Sequence, residues 1–152
     1  MSNFIFKIYT ENSFLKELYK THSTFHEGDS GIDLFTPENI TIKAGETKLV
    51  DLEIVCICYD NLERNSYFII PRSSIYKTPL LLRNSIGLVD ANYNGTLKLP
   101  LLNLSDKDYV LEKNSRICQI ILPNLKQPTF EMIEKSEISE TSRGVNGFGS
   151  SG

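Results

Sequence analysis

Short apolar runs recur along the chain, broken at close intervals by Gly, Asn, Asp and Pro. They are FIFKIY (residues 4–9), GIDLF (31–35), ITI (40–42), TKLVDLEIVCICY (47–59), SYFII (66–70), TLKLPLLNL (96–104), YVLEK (109–113), RICQIIL (116–122) and FEMIE (130–134). Runs of this length with turn residues between them predict an all-β chain, a sandwich or barrel. Residues 47–59 alternate in part, the signature of a strand with one wet face. LKLPLLNL is nearly continuous, as in a strand covered on both sides. Only ENSFLKELYK (11–20) has helical spacing, with Phe14, Leu15, Leu18 and Tyr19 on one face, and it predicts one short helix. From Ser136 apolar residues nearly vanish. The chain therefore divides into a β domain over 1–135 and a linker with a flexible, Gly/Ser-rich tail over 136–152.

The 152 residues are enough for one domain with a sizeable core. A net charge of −3 argues against a chain that coats nucleic acid or an anionic membrane. Any phosphate must then be held by a few placed groups. The start MSNFIFKIYTENS lacks the layout of a signal peptide, and no apolar run reaches membrane-span length, which predicts an intracellular protein of cytoplasm or nucleus. Cys56, Cys58 and Cys118 sit in apolar runs. Cys56 and Cys58 share a strand face and can touch one metal, but no further ligands cluster nearby, so buried reduced thiols are expected. His22 and His26 read as surface residues.

Five stretches carry candidate chemistry. VDANYNG (89–95) reads as a β-hairpin, with Asn94-Gly95 as its turn because both residues tolerate positive φ. It is either a plain hairpin with an incidental Asp90, or a backbone edge that reads a base beside a general base. PRSS (71–74) follows a fixed turn with a guanidinium and two hydroxyls, the groups that bind phosphate oxygens and equally common at a surface turn. Asp33, in DSGIDLF, is a carboxylate in an apolar strand, expected at a sheet edge or facing a polar site. SRICQII sets Arg116 and Gln119 in a strand that should be buried, so Gln119 must find a hydrogen-bonding neighbour. RGVNGFGSSG (143–152) has the composition of a frayed end, yet its bare amides can form an anion nest.

In this order, DSGIDL, PRSS, NSIGLVDANYNG, SRICQ and RGVNGFGSSG resemble the five motifs of the trimeric dUTPases, from about Asp29 to Gly152. The resemblance implies a distorted jelly-roll subunit in a homotrimer whose three active sites draw motifs from all three chains. The tail would come from a different subunit and order over bound substrate as a lid. It implies hydrolysis of dUTP to dUMP and pyrophosphate, which lowers dUTP and supplies dUMP for thymidylate synthesis.

Asp90 would hold the attacking water, and Tyr93 would lie beneath deoxyribose and leave no room for a 2′-hydroxyl. Backbone from Asn84 through Gly87, Leu88 and Val89, with Lys98 across from it, would read the uracil edge. Arg72, Ser73, Ser74 and Gln119 would bind phosphates. Phe148 would cover uracil, and Arg143, Gly149, Ser150 and Ser151 would close on the terminal phosphates. Asp33 would touch Mg²⁺ only through water, the ion arriving on the triphosphate, and Arg116 would be as much structural as catalytic.

Asn92, Asn94, Asn146 and the NSRICQ stretch depart from the family's usual residues. The related dCTP deaminases need a glutamate before the asparagine that ends the strand after this motif. No carboxylate lies between Gly95 and Asn103, and Pro100 stands where that glutamate is sought. A non-catalytic β-trimer is the other reading.

Overall fold

The computed structural model describes residues 1–21 and 26–149. In chain order the elements are β1 (Phe4–Tyr9), α1 (Ser13–Thr21), β2 (Gly31–Asp33), β3 (Ile40–Ile42), β4 (Thr47–Asp60), β5 (Glu63–Asn65), β6 (Tyr67–Pro71), β7 (Leu80–Leu82), β8 (Gly87–Val89), β9 (Thr96–Asn103), β10 (Tyr109–Leu111), β11 (Cys118–Ile121) and β12 (Phe130–Met132). Two 3₁₀ turns, Ser73–Lys77 and Lys135–Glu137, complete the set. One sheet runs β12-β1-β4-β9-β7, with β5 added on β4. A second runs β2-β11-β6-β8, and β10 pairs with β3. The all-β expectation holds, and every run named from the sequence contains a strand.

The core lies between these sheets and includes Phe6, Ile54 and Leu99 from the first, Ile32, Tyr67 and Ile120 from the second, and Ile42 and Leu111 from the third. Phe6 and Tyr67 meet edge to face at 5.0 Å, and the Tyr67 hydroxyl donates to the Cys56 carbonyl at 2.7 Å. The helix begins where Asn12 caps it, accepting from Leu15 N–H at 3.2 Å. It buries Leu15 and Tyr19, and the Tyr19 hydroxyl accepts from Phe35 N–H at 3.0 Å.

Strand β4 changes character midway. Its register against β9 shifts between Asp51 and Val55, with Glu53 at φ 59°. Such a bulge re-aims the side chains that follow. Before it, inward and outward residues alternate; after it, residues 55–58 are all buried. Pro100 sits inside β9 at a cost of one ladder bond. Its carbonyl still accepts from Arg83 N–H at 2.8 Å just past the end of β7, so the missing donor falls at the ladder's edge.

Three short strands escaped the sequence reading: the polar β5, and β7 and β8, each three residues long. The proposed hairpin is also corrected. Strand β8 pairs with β6 and β9 with β4 and β7, so residues 89–95 cross between two sheets instead of joining neighbours. No helix among the described residues is long and apolar enough to cross a membrane.

All three cysteines are buried and free. Burial pushes the Cys58 and Cys118 thiols from an ordinary 9.0 up to about 12, and the Cys56 thiol further still. The unfolded chain releases these protons near pH 9 while the folded chain keeps them. Thiol-linked stability is therefore intact below pH 9 and declines from there toward pH 12. Urea titrations across that window should show unfolding free energy falling with pH, and Cys118→Ala should flatten the slope by up to about 1.4 kcal/mol per pH unit. Equal slopes in the two chains would contradict the buried-thiol account.

Candidate functional site

The crossing between sheets builds one side of the site. Tyr93 N–H donates to Asp90 C=O at 3.1 Å and closes a turn over residues 90–93. The Tyr93 ring then tucks into the core at 9% exposure, and its hydroxyl donates to Thr96 C=O at 2.6 Å. Neither Asn94 nor Gly95 has positive φ, contrary to the reason given for placing a hairpin turn there. Glycine is needed at 95 for space: a Cβ would stand 2.4 Å from the Tyr93 hydroxyl oxygen. A close approach of ring to backbone, and not turn geometry, explains that residue.

Around this turn lies a cavity of about 200 Å³. Ile69, Leu88, Val89, Tyr93, Leu97 and Phe148 make most of its wall, with Asn84, Asp90, Lys98 and Arg143 as polar groups and Gly87 and Gly147 at close approach. Every residue expected to read a base or hold the sugar is here. Lys98 Nζ donates to Thr96 Oγ1 at 3.0 Å, and Arg143 Nη2 lies 3.1 Å from Asp90 Oδ2.

The tail has a defined seat. Gly144 bridges Tyr93 in parallel, and Asn94 N–H donates to Gly144 C=O at 2.6 Å. Gly144 N–H donates to Thr141 Oγ1 at 3.0 Å, and that hydroxyl donates to Asn92 C=O. A Cβ on Gly147 would lie 3.2 Å from the Tyr93 ring, so glycine again permits contact with the backbone. The resemblance has this segment free until substrate binds and supplied by another subunit. In the structure it sits on its own chain's turn, held by polar and backbone bonds.

A second cavity, about 470 Å³, is strongly polar. The ends of β2, β6 and β11 bring Asp33, Arg72 and Gln119 together, since Gln119 pairs with Asp33 and Cys118 with Pro71 in the ladder. Asp33 Oδ1 lies 3.0 Å from Arg72 Nε and Oδ2 lies 3.2 Å from Arg116 Nη1. Arg72 Nη1 also donates to Arg116 C=O at 3.0 Å. Gln119 finds its partner in Pro71 C=O at 3.4 Å, and its side chain runs over Gly31. As expected, Asp33 stands on an edge strand facing a polar site. Each of its oxygens meets a guanidinium, so it orients the two arginines. Ser73 lines this cavity, whereas Ser74 and Gly149 line neither. Ser150 and Ser151 fall outside the described residues.

Sequence reasoning missed His26, Asp29 and Ser30 on the polar rim and Ile69 and Leu97 in the apolar wall. His26 is exposed, as expected of a surface residue, yet it lines the same cavity as the two arginines. Among the described residues no group of three His, Cys, Asp or Glu side chains is placed to hold a metal ion.

The model of the dUTPase family matches residues 20–152. The deoxyuridine 5′-triphosphate nucleotidohydrolase of Rickettsia felis is 40% identical over 129 residues, covering 83% of this chain and 84% of its own. That of a Psychrobacter species is 40% identical over 130 residues, covering 83% and 82%. Among solved structures, a dUTPase from Streptococcus mutans superposes with a TM-score of 0.54 at 25% identity, over 75% of this chain and 87% of that one. The dUTPase of Staphylococcus bacteriophage 80alpha, solved with dUPNHPP, gives 0.60 at 22% identity over 99% and 98%, a likeness of fold.

Gly31 and Gly95 differ in what a methyl group would meet. At Gly31 it meets the end of the Gln119 side chain, which can swing away, whereas at Gly95 it meets a buried ring. Gly95→Ala should destabilise the chain by about 1–3 kcal/mol, and Gly31→Ala by clearly less. Urea midpoints measured side by side check the order, and equal midpoints would refute it.

Proposed function

The chain belongs to the dUTPase family, and we propose that it hydrolyses dUTP to dUMP and pyrophosphate. One observation supports this reading beyond kinship: among the described residues, cavities of opposite character stand side by side in the fold with no lining residue in common. One is largely apolar with a few directional groups, suited to a base and a deoxyribose. The other presents Arg72, Arg116, Ser73 and Gln119, suited to phosphate oxygens.

Asp90 stands at the margin of the base-side cavity and orients a water for in-line attack on the α-phosphorus. The Tyr93 ring, pinned through Thr96, floors the sugar and excludes a 2′-hydroxyl, while backbone near Gly87 to Val89 and Lys98 reads the uracil edge. Phe148 offers its face to the base and Arg143 meets the developing negative charge, both on a tail supplied by a different subunit. Mg²⁺ enters as part of the substrate, bound to the triphosphate; this matches the lack of a three-ligand cluster among the described residues.

That the base-side and phosphate-side cavities share no lining residue on one chain supports the reading of a homotrimer whose sites draw motifs from all three chains. Gel filtration with light scattering should give three times the 17.3 kDa chain mass. A fully active preparation at the mass of one chain would overturn the shared site.

The test of activity is pyrophosphate release from dUTP, dCTP and UTP with Mg²⁺. Rapid release from dUTP alone is expected, and ammonia from dCTP would instead reveal a deaminase. Asp90→Asn should keep the fold and lose about 10²–10⁴-fold in turnover; near-normal turnover would remove Asp90 from the role given to it.

A further inference from the structure

The ladder between β6 and β8 ends at Tyr67 and Val89, one residue short of Asp90. Backbone pairing stops where the turn carrying Asp90 begins, and side chains take over. Ser66, the residue before Tyr67, accepts from Ala91 N–H with its hydroxyl at 3.0 Å. Arg64, on β5, donates from Nη1 to Ala91 C=O at 3.1 Å and to Asn94 Oδ1 at 2.7 Å. Ala91 is thus held at both of its backbone polar groups by one short stretch, residues 64–66. Asp90 C=O is taken by Tyr93 N–H, so the peptide unit joining Asp90 to Ala91 is engaged on both sides. The stretch that does the holding is itself fixed. Strand β5 pairs with Cys58–Asp60 of β4, and the buried Tyr67 is tied to Cys56 C=O.

A carboxylate that orients a water is sensitive to the backbone that carries it, and a shift of about 1 Å can cost about 10²-fold in rate. We propose that Ser66, with Arg64, is a positioning residue that clamps Ala91 and so fixes the direction of the Asp90 carboxylate. The proposal rests on the dUTPase reading, in which Asp90 holds the attacking water. It does not depend on which subunit's tail closes the site. Arg64 Nη2 also donates to Ser139 C=O at 2.8 Å, at the root of the tail, so Ser66 gives the cleaner test. Removing its hydroxyl leaves Ala91 N–H without that partner, and threonine supplies the same group again.

The experiment compares Ser66→Ala and Ser66→Thr with the wild-type chain, and repeats Ser66→Ala in an Asp90→Asn background. Hydrogen exchange of the Ala91 amide, followed without substrate, is read beside kcat and KM for dUTP. Ser66→Ala should speed that exchange and lower kcat, each about tenfold, the scale of one lost hydrogen bond, with KM changed less than about twofold. Ser66→Thr should restore most of both. In the Asp90→Asn background Ser66→Ala should leave residual turnover within about twofold, because a residue acting through the carboxylate has no effect once it is gone. Wild-type exchange at Ala91 in Ser66→Ala would overturn the clamp. Faster exchange with unchanged kcat would overturn the positioning role, as would an equal loss of turnover in both backgrounds. If the wild-type chain does not hydrolyse dUTP, the dUTPase reading fails instead, and Ala91 exchange decides the clamp by itself.

Discussion

The site depends on where the Tyr93 ring goes. It belongs to the core and to the cavity at once: its hydroxyl is tied to Thr96, its face lies against Gly95 and Gly147, and its own N–H closes the Asp90 turn. This packing lets the chain step from the four-stranded sheet to the six-stranded one within residues 90–95. The carboxylate at 90 is thereby fixed by core packing, although it stands at the surface. A site built on a buried ring inherits the rigidity of the interior, which is what positioned chemistry requires.

Much of this was legible in the sequence because strand-length apolar runs have few other uses in a chain so rich in turn residues. FIFKIY and ITI coincide with β1 and β3, and ENSFLKELYK contains most of α1. Strand β5, with the sequence ERN, carries no apolar signal at all; it is a strand because β4 offers it an edge. The Asn94-Gly95 misreading has the same root. A local rule assigned the glycine to backbone conformation, but its reason is a tyrosine ring that only the folded chain brings near. The motif residues were recognisable as an ordered set, and among the described residues the structure gathers those expected at the site, Ser74 and Gly149 excepted, into two cavities. Arg64 and His26 were not, since nothing in their neighbourhoods along the chain says what lies across from them in space.

The acidic balance of the chain also acquires a meaning. A net charge of −3 provides no general attraction for polyanions, yet Arg72 and Arg116 converge on one cavity. Asp33 makes that convergence tolerable by standing between the two guanidiniums, holding them apart from each other and aimed at the same space. A chain of acidic balance can thus present a locally basic cavity through arrangement alone.

Arg143 Nη2 and Asp90 Oδ2 are 3.1 Å apart, and both side chains reach water, at 28% and 40% exposure. A pair so placed is screened by salt and contributes little to stability. The backbone bond from Asn94 N–H to Gly144 C=O, at 2.6 Å, has no such sensitivity. Tail and turn are thus joined by two kinds of contact, and raising ionic strength loosens the charged one while leaving the other in place.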